Sequence, residues 1–419
     1  MTVARSGDSP PTTHHPVQAT PVTERVLAPD LARGMMLLLI ALAHVPWFIY
    51  DAPAGIALLH PAHGNLADKI AQILTIVIVD ARTHTMFGFL FAYGIGQMYA
   101  RQTARGTPPA RARRLLRTRH LWLLAFGAVH AALLWQGDIL GTYGLIGLLM
   151  MPLFFNRSDR TLKIWIVVLL VAGALLSALT VLSAMAAPAG EAIAAADLQR
   201  LSIAEAGFLL SAAIRVPTWI FGLFSGVATL ALPTVFLIGL LAARHRVLDE
   251  PARHLPLLRR VALTAIPLGW AAGAVLGLEH TGVITTGYES VWSTLHFYTG
   301  TFTGVGYAAL FGLLAHFLAT RDAHRALPVQ ALVALGRRSL SGYLAQSVVF
   351  APVFAAWGLG WGMYLSSWSA VGVAVGTWVL TVAAALWMER AGVRGPAETL
   401  LRTLTYRGTT RRVHADKAR

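Results

Sequence analysis

Apolar runs of about twenty residues alternate with short polar segments along almost the whole chain of 419 residues. An α-helix needs about 20 mainly apolar residues to cross the hydrocarbon layer of a bilayer. The pattern therefore predicts an all-α protein, a polytopic transmembrane helix bundle of about ten spans. The predicted spans are 31–50, 83–99, a third that ends near 135, 139–155, a fifth that ends near 187, 216–243, a seventh that ends near 278, 293–319, 339–357 and 364–388.

Basic residues concentrate in alternate loops of this layout. With the N-terminus in the cytoplasm, the outer segments contain only Lys69, Arg82, Arg200 and Arg215, and the other 30 of the 34 basic residues lie inside. Lysine and arginine collect on the cytoplasmic side of membrane proteins. We therefore predict both termini in the cytoplasm of a bacterial cell, with the bundle in its inner (plasma) membrane. Residues 1–24 form a disordered tail, 25–406 the membrane domain and 407–419 a basic cytoplasmic tail.

Composition excludes several classes of function. The chain is 56% hydrophobic and 13% charged, against about 25% charged residues in soluble proteins, so we expect no separate catalytic domain. A net charge of +15 indicates nucleic-acid binding in a soluble protein, but here the basic residues set topology, and we expect no nucleic-acid partner. The absence of cysteine excludes disulfides, thiolate metal sites and a cysteine nucleophile.

Ionisable residues recur at the outer end of several predicted spans. A charge at the bilayer centre costs roughly 2.5–3.5 kcal/mol on insertion scales, so such residues are candidates for function. The alternative for each of them is an interfacial position at the headgroups, which we assign to His60 and His63. The remaining candidates are His44, Asp80, Arg82, His84, His130, Asp138, Glu279, His280 and His296.

His130 and Asp138 form the principal catalytic hypothesis. A histidine beside a carboxylate can act as a general base toward a hydroxyl or an amine. Spans two and three run antiparallel, so Arg82 and His84 are expected to line the same outer-half cavity. One alternative is that His130 only hydrogen-bonds a neighbouring helix. The other is a metal site, but the spacing matches no zinc motif, so we expect no metal.

Arginines open several predicted spans at the cytoplasmic end. A helix N-terminus with neighbouring arginines suits a phosphate group, and the alternative is that these arginines only set topology. The candidate ligand-binding residues are Arg33, Arg113, Arg114, Arg337 and Arg338.

Several motifs in this order resemble the YeiB-like family of bacterial membrane proteins, which carries domain of unknown function 418. They are Asp30-Leu31-Ala32-Arg33-Gly34, the run 86–96, Arg113-Arg114 through Gly127, His130 and Gly137-Asp138 to Tyr143, the run 336–347, and Gly395-Pro396-Ala397-Glu398 with Leu401-Arg402. The family looks related to the acyltransferase-3 proteins and to the lysosomal heparan-glucosaminide N-acetyltransferase.

The resemblance implies transfer of an acyl group from cytoplasmic acyl-CoA to an extracytoplasmic hydroxyl or amine, on a sugar or another envelope component. The alternative is a transporter or exporter of a small solute with an ionisable outer-half site. Transporters often contain paired interrupted helices, and no such pair is evident in the sequence, which lowers that alternative. Assembly into a homo-oligomer stays open.

Overall fold

The computed structural model describes residues 26–57, 60–186 and 200–417, with side chains to Arg407, and the predicted tail 1–24 lies outside the described residues. The chain is an all-α multi-pass membrane protein. Its helices are α1 Leu27–His44, α2 Leu66–Ile78, α3 Thr83–Ala104, α4 Pro109–Leu133, α5 Leu140–Phe154, α6 Asp159–Ala186, α7 Phe208–Ala228, α8 Ala231–Arg244, α9 Leu255–His280, α10 Glu289–Thr320, α11 Leu327–Arg337, α12 Ser339–Phe354, α13 Ser367–Arg390 and α14 Pro396–Lys417.

Within the described part of the chain, seven segments are helical, long and apolar enough to cross a membrane. They contain α1, α2 with α3, α6, α7, α9, α10 and α13, and each corresponds to a predicted span. The other three predicted spans correspond to α4, which carries several arginines, and to α5 and α12, which have only 15 and 16 residues. The count of ten therefore stays a prediction.

The sixth predicted span is interrupted. We expected one continuous helix over 216–243, but the chain forms α7 and α8 with a break at Thr229 and Leu230, where Leu230 has a φ of 61°. Pro233 lies four residues after Thr229. Proline has no N–H and its ring crowds the carbonyl four residues earlier, so Pro233 removes the hydrogen bond to Thr229 and favours a break there.

A second interruption separates α2 from α3. Val79 and Asp80 both donate their backbone N–H to Thr75, and Ala81 has a φ of 59°, which L-residues rarely adopt. α3 and α8 pack side by side and run parallel, since Phe89 contacts Gly239 and Gly96 contacts Ala243. The protein therefore contains a packed pair of interrupted helices, although no such pair was evident from the sequence.

Four basic residues fall in the predicted outer segments, and three of them are buried: Arg82, Arg200 and Arg215. Arg215 donates to the carbonyls of Ala131 and Ala132 at the C-terminal end of α4. Its guanidinium also lies over the rings of Phe208 and Trp357. These arginines hydrogen-bond the backbone inside the bundle instead of marking a loop.

The helices around the candidate site approach one another closely at glycines. α1 and α11 are antiparallel, since Gly34 faces the backbone of Leu332 and Gly336 faces the backbone of Asp30, and a Cβ at either glycine would overlap the opposite carbonyl oxygen. α12 then runs beside α1, where Gln346 donates to the carbonyl of Leu37. α14 packs against α4 and α12 and completes one end of the bundle.

Candidate functional site

A cavity of about 350 Å³ opens at one end of the bundle, between α1, α3, α4, α12 and α14. Of the described residues, seven arginines and three carboxylates line it, so its wall carries an excess of positive charge. We call this end the arginine-rich end; in the predicted topology it is cytoplasmic. The arginines are Arg33, Arg101, Arg119, Arg337, Arg338, Arg394 and Arg402.

Some of these arginines already have carboxylate partners. Arg337 and Arg338 both bind Glu389, each through an N–O contact of 2.6 Å, and Arg338 also donates to the carbonyl of Val393. Arg33 lies 3.2 Å from Asp30 and donates to the carbonyl of Leu90. These contacts fix the cavity wall.

Other arginines of the cavity are not neutralised. Among the side chains that the structure describes, none of the carboxylates forms an ion pair with Arg101, Arg394 or Arg402. Partial burial, and then the neighbouring Arg394, lower the pKa of the Arg402 guanidinium. Two cations held together in this way favour a polyanionic ligand, since an anion between them would relieve their repulsion.

The inner wall of the cavity is apolar and aromatic. It is formed by Phe87, Phe91, Leu123, Leu140, Tyr143 and Tyr343. Tyr343 also contacts the predicted catalytic pair: its ring centroid lies 5.4 Å from that of His130, and its hydroxyl accepts a hydrogen bond from the N–H of Ile139 at 3.3 Å. One side chain thus joins the cavity to His130 and Asp138.

The structure brings His130 and Asp138 together in a buried pair. Nδ1 of His130 lies 3.2 Å from Oδ1 of Asp138, but neither atom has a partner that meets hydrogen-bond geometry. Oδ2 of Asp138 accepts the N–H of Gly141 at 2.7 Å and the Nε1–H of Trp219 at 3.3 Å. The carboxylate therefore caps the start of α5, which holds it in place against α4.

An aromatic layer covers the pair on the side away from the cavity. His44 lies against Trp135, with ring centroids 4.5 Å apart, and Trp135 packs on Phe48. Phe350 and Phe354 complete this layer. The layer therefore covers the pair on this side, and the cavity that opens at the arginine-rich end stops at Tyr343, which packs on His130.

The family model "Protein of unknown function (DUF418)" matches residues 242–408. The chain is 28% identical to the uncharacterized protein YxaH of Bacillus subtilis, over 93% of this chain and 96% of that protein. It is also 31% identical to the uncharacterized protein YeiB of Escherichia coli, over 30% of each chain.

The C-terminal region 242–408 thus matches the DUF418 family, which supports the resemblance to YeiB-like proteins. This region contains α9 to α13 and the first part of α14, and with them Tyr343, Glu389 and most of the cavity's arginines. The His130–Asp138 pair lies outside this region, so the cavity forms where the DUF418 region meets the N-terminal half of the chain.

Arg82 does not lie with His130. It occupies the break between α2 and α3, fully buried, where it donates to the carbonyls of Ile76, Asp80 and Gly269 and contacts the ring of His296. The predicted common cavity of Arg82 and His130 is therefore replaced by two separate clusters. His84 lies between them, since its carbonyl accepts the Tyr143 hydroxyl at 2.6 Å.

At the start of α12, where we predicted a phosphate site, the helix N-terminus already binds a carboxylate of the chain. Glu398 occupies that helix N-terminus, accepting the N–H groups of Leu340 and Ser341 and the Ser341 hydroxyl. Arg337 and Arg338 are paired with Glu389, as described above. Arg113 binds Asn156 and Arg114 is exposed, and neither lines the cavity. Arg33 does line it.

Several residues of the site were not singled out as candidates in the sequence. Arg402 and Glu398 stood in a motif of the family resemblance, which is the pattern that could have indicated them. His60, assigned to the headgroup region, is instead buried and lies 2.7 Å from Asp80. In the described part of the chain, no three histidine or acidic side chains converge as a metal site would require.

Proposed function

We propose that this protein is a membrane acyltransferase that uses acyl-CoA as its donor. The observation that carries the proposal is a cavity that begins among arginines, of which Arg101, Arg394 and Arg402 form no ion pair with a described carboxylate, and that ends on Tyr343, whose ring packs on His130. CoA is a polyanion joined to a reactive thioester by a flexible arm. The arginines suit its phosphates, and the apolar inner wall suits its acyl group.

The reaction would proceed by general-base catalysis. His130 takes the proton of an acceptor hydroxyl or amine, and the acceptor atom attacks the thioester carbon. The C–S bond then breaks, and the CoA thiolate receives the proton from His130, so atoms and charges balance. Asp138 would orient the imidazole and stabilise the imidazolium ion, as a carboxylate does in serine hydrolases.

The acceptor in this proposal is a sugar or another envelope component on the outer side of a bacterial plasma membrane. In the predicted topology, the aromatic layer of Trp135, Phe48 and Phe350 would separate the pair from that side. An acceptor would reach His130 only when this layer opens. Donor and acceptor would then meet at the pair from opposite ends of the bundle.

The first test is acyl transfer by purified protein in lipid nanodiscs with labelled acetyl-CoA and a bacterial envelope extract as acceptor. We expect labelled product from the wild type. In Asp138→Asn, turnover should fall by about 10³-fold or more, as when the aspartate of a catalytic triad is replaced, while CoA still raises the melting temperature. Stabilisation by CoA without transfer to any acceptor would contradict the proposal.

A transporter is the second candidate, and the packed pair of interrupted helices α2–α3 and α7–α8 favours it. Interrupted helices at mid-depth are common where transporters bind their substrates. The same nanodisc protein separates the candidates. A transporter moves solute across proteoliposomes without consuming acyl-CoA, whereas the enzyme releases free CoA in proportion to acylated acceptor.

A further inference from the structure

We propose that the Tyr343 hydroxyl is the group that binds the carbonyl oxygen of the donor thioester and stabilises the oxyanion formed during transfer. This inference rests on the proposed acyl transfer and adds to it the electrophilic half of the site. A base alone is insufficient, because the negative charge that develops on the carbonyl oxygen also needs a preorganised donor.

Position is the first argument. Tyr343 is 2% exposed, lines the inner end of the cavity and packs its ring on both His130 and His44, with centroids 5.4 and 6.0 Å apart. The cavity ends at this phenol, and His130 packs on the same ring outside the cavity lining. The same side chain therefore faces the donor on one side and the base on the other.

Hydrogen bonding is the second argument. The Tyr343 oxygen accepts from the backbone N–H of Ile139 and lies beside the Asp138 carboxylate. The N–H fixes the oxygen without using the phenolic proton. The Asp138 carboxylate is the competing acceptor for that proton, but its Oδ1 forms no hydrogen bond of suitable geometry, so the proton can turn toward a ligand carbonyl. A neutral hydroxyl held in a buried apolar wall needs little reorganisation when charge develops near it.

Tyr143 provides an internal comparison. It lines the same cavity, but its hydroxyl already donates to the carbonyl of His84 at 2.6 Å. Its proton is therefore engaged with the backbone, whereas that of Tyr343 is not engaged with any carbonyl of the described chain. Of the two phenols, Tyr343 is the one whose proton is not held by a backbone carbonyl, and that proton has only to turn away from the neighbouring Asp138 carboxylate to reach a ligand.

The test compares Tyr343→Phe with Tyr298→Phe, which removes a hydroxyl that donates to the carbonyl of Leu170 outside the cavity. In Tyr343→Phe we expect kcat to fall by about 10²–10³-fold, the range for loss of one oxyanion donor, and KM for acetyl-CoA to rise only several-fold, on the order of one hydrogen bond to the ground-state carbonyl. Tyr298→Phe should keep kcat within about 10-fold of the wild type. Equal turnover by wild type and Tyr343→Phe would overturn the inference and leave the acyltransferase proposal standing.

A binding measurement tests the inference without an acceptor. S-acetonyl-CoA keeps a carbonyl but cannot transfer it, and S-propyl-CoA lacks the carbonyl. The wild type should bind the acetonyl compound several-fold more tightly, on the order of one hydrogen bond, and Tyr343→Phe should lose that preference. If the preference survives in Tyr343→Phe, the carbonyl is bound elsewhere and the inference is wrong. If neither compound binds the wild type, the donor-binding proposal itself fails.

Discussion

Two buried polar clusters lie in the bundle, and they differ in how their polar groups are satisfied. At the Arg82 cluster, both terminal guanidinium nitrogens reach carbonyls of interrupted or neighbouring helices, and only Nε of that guanidinium has no hydrogen-bond partner. At the other cluster, both ring nitrogens of His130 and Oδ1 of Asp138 have no hydrogen-bond partner of suitable geometry. The first cluster also lies away from the cavity, whereas the second contacts its inner wall.

This difference indicates that the two clusters have different roles, one structural and one chemical. Buried polar groups in native proteins are nearly always hydrogen-bonded, so an incomplete set requires an explanation. Arg82 supplies donors that the break in α2–α3 leaves missing, which is a structural role. The His130–Asp138 pair is incomplete at the place where a ligand would complete it, which is the arrangement expected of a reactive site.

The largest effect on stability is expected for Arg82→Met. Loss of the guanidinium leaves the carbonyls of Ile76, Asp80 and Gly269 unsatisfied, and each buried unsatisfied acceptor costs about 1–3 kcal/mol. We expect a fall in unfolding free energy of roughly 3 kcal/mol or more, measured by thermal unfolding in detergent. Lys69→Met, at a half-buried position on α2, is the control. A fully stable Arg82→Met protein would show that the cluster is not structural.

An intermediate effect is expected for the arginines of the cavity mouth. Arg394→Ala and Arg402→Ala should each weaken CoA binding by roughly 10-fold, because a hydrogen bond to a charged group contributes at least ~1.5 kcal/mol. The matched control is Arg113→Ala, since Arg113 lies off the cavity. Isothermal titration with CoA gives the comparison. Equal weakening by all three variants would indicate a general charge effect instead of a site.

The smallest effect is expected for His120→Leu. His120 is fully buried on α4 with neither ring nitrogen hydrogen-bonded, but it packs on Phe91 and Gly147 and does not line the cavity. Replacing an unsatisfied polar group by an apolar one is nearly neutral. Stability should change by less than about 1 kcal/mol and turnover should be unchanged. A large loss of turnover would mean that an incomplete hydrogen-bond set alone does not identify the reactive cluster.

Much of the fold could be predicted because apolar runs of the length of a membrane span are visible in the sequence. The break at Leu230 is indicated only in part by the sequence, since Pro233 removes a donor in the middle of a span but Pro217 and Pro267 lie inside helices that continue. The break at Ala81 could not be predicted, because the run around it contains neither proline nor glycine. It depends on Arg82, whose hydrogen-bond partner Gly269 and ring contact His296 come from helices far away in sequence.

The candidate site could be predicted only where its residues lie close together in the sequence. His130 and Asp138 are eight residues apart, so their proximity follows from one helix and one turn. The partners that occupy the predicted phosphate site, Glu389 and Glu398, come from segments about fifty residues after Arg337 and Ser341. Such long-range neutralisation is not visible in a pattern of charges along one segment.

The central claim is that one cavity brings the acyl group of CoA beside the His130–Asp138 pair. Because the chain has no cysteine, a single introduced cysteine reports on this directly. Leu140→Cys, at the inner wall, should be alkylated by bromoacetyl-CoA much faster than Leu359→Cys, which is exposed outside the cavity. Intact-protein mass spectrometry follows the reaction, and free CoA should suppress the labelling of Leu140→Cys only. Labelling of the two cysteines at equal rates, unaffected by CoA, would contradict the claim.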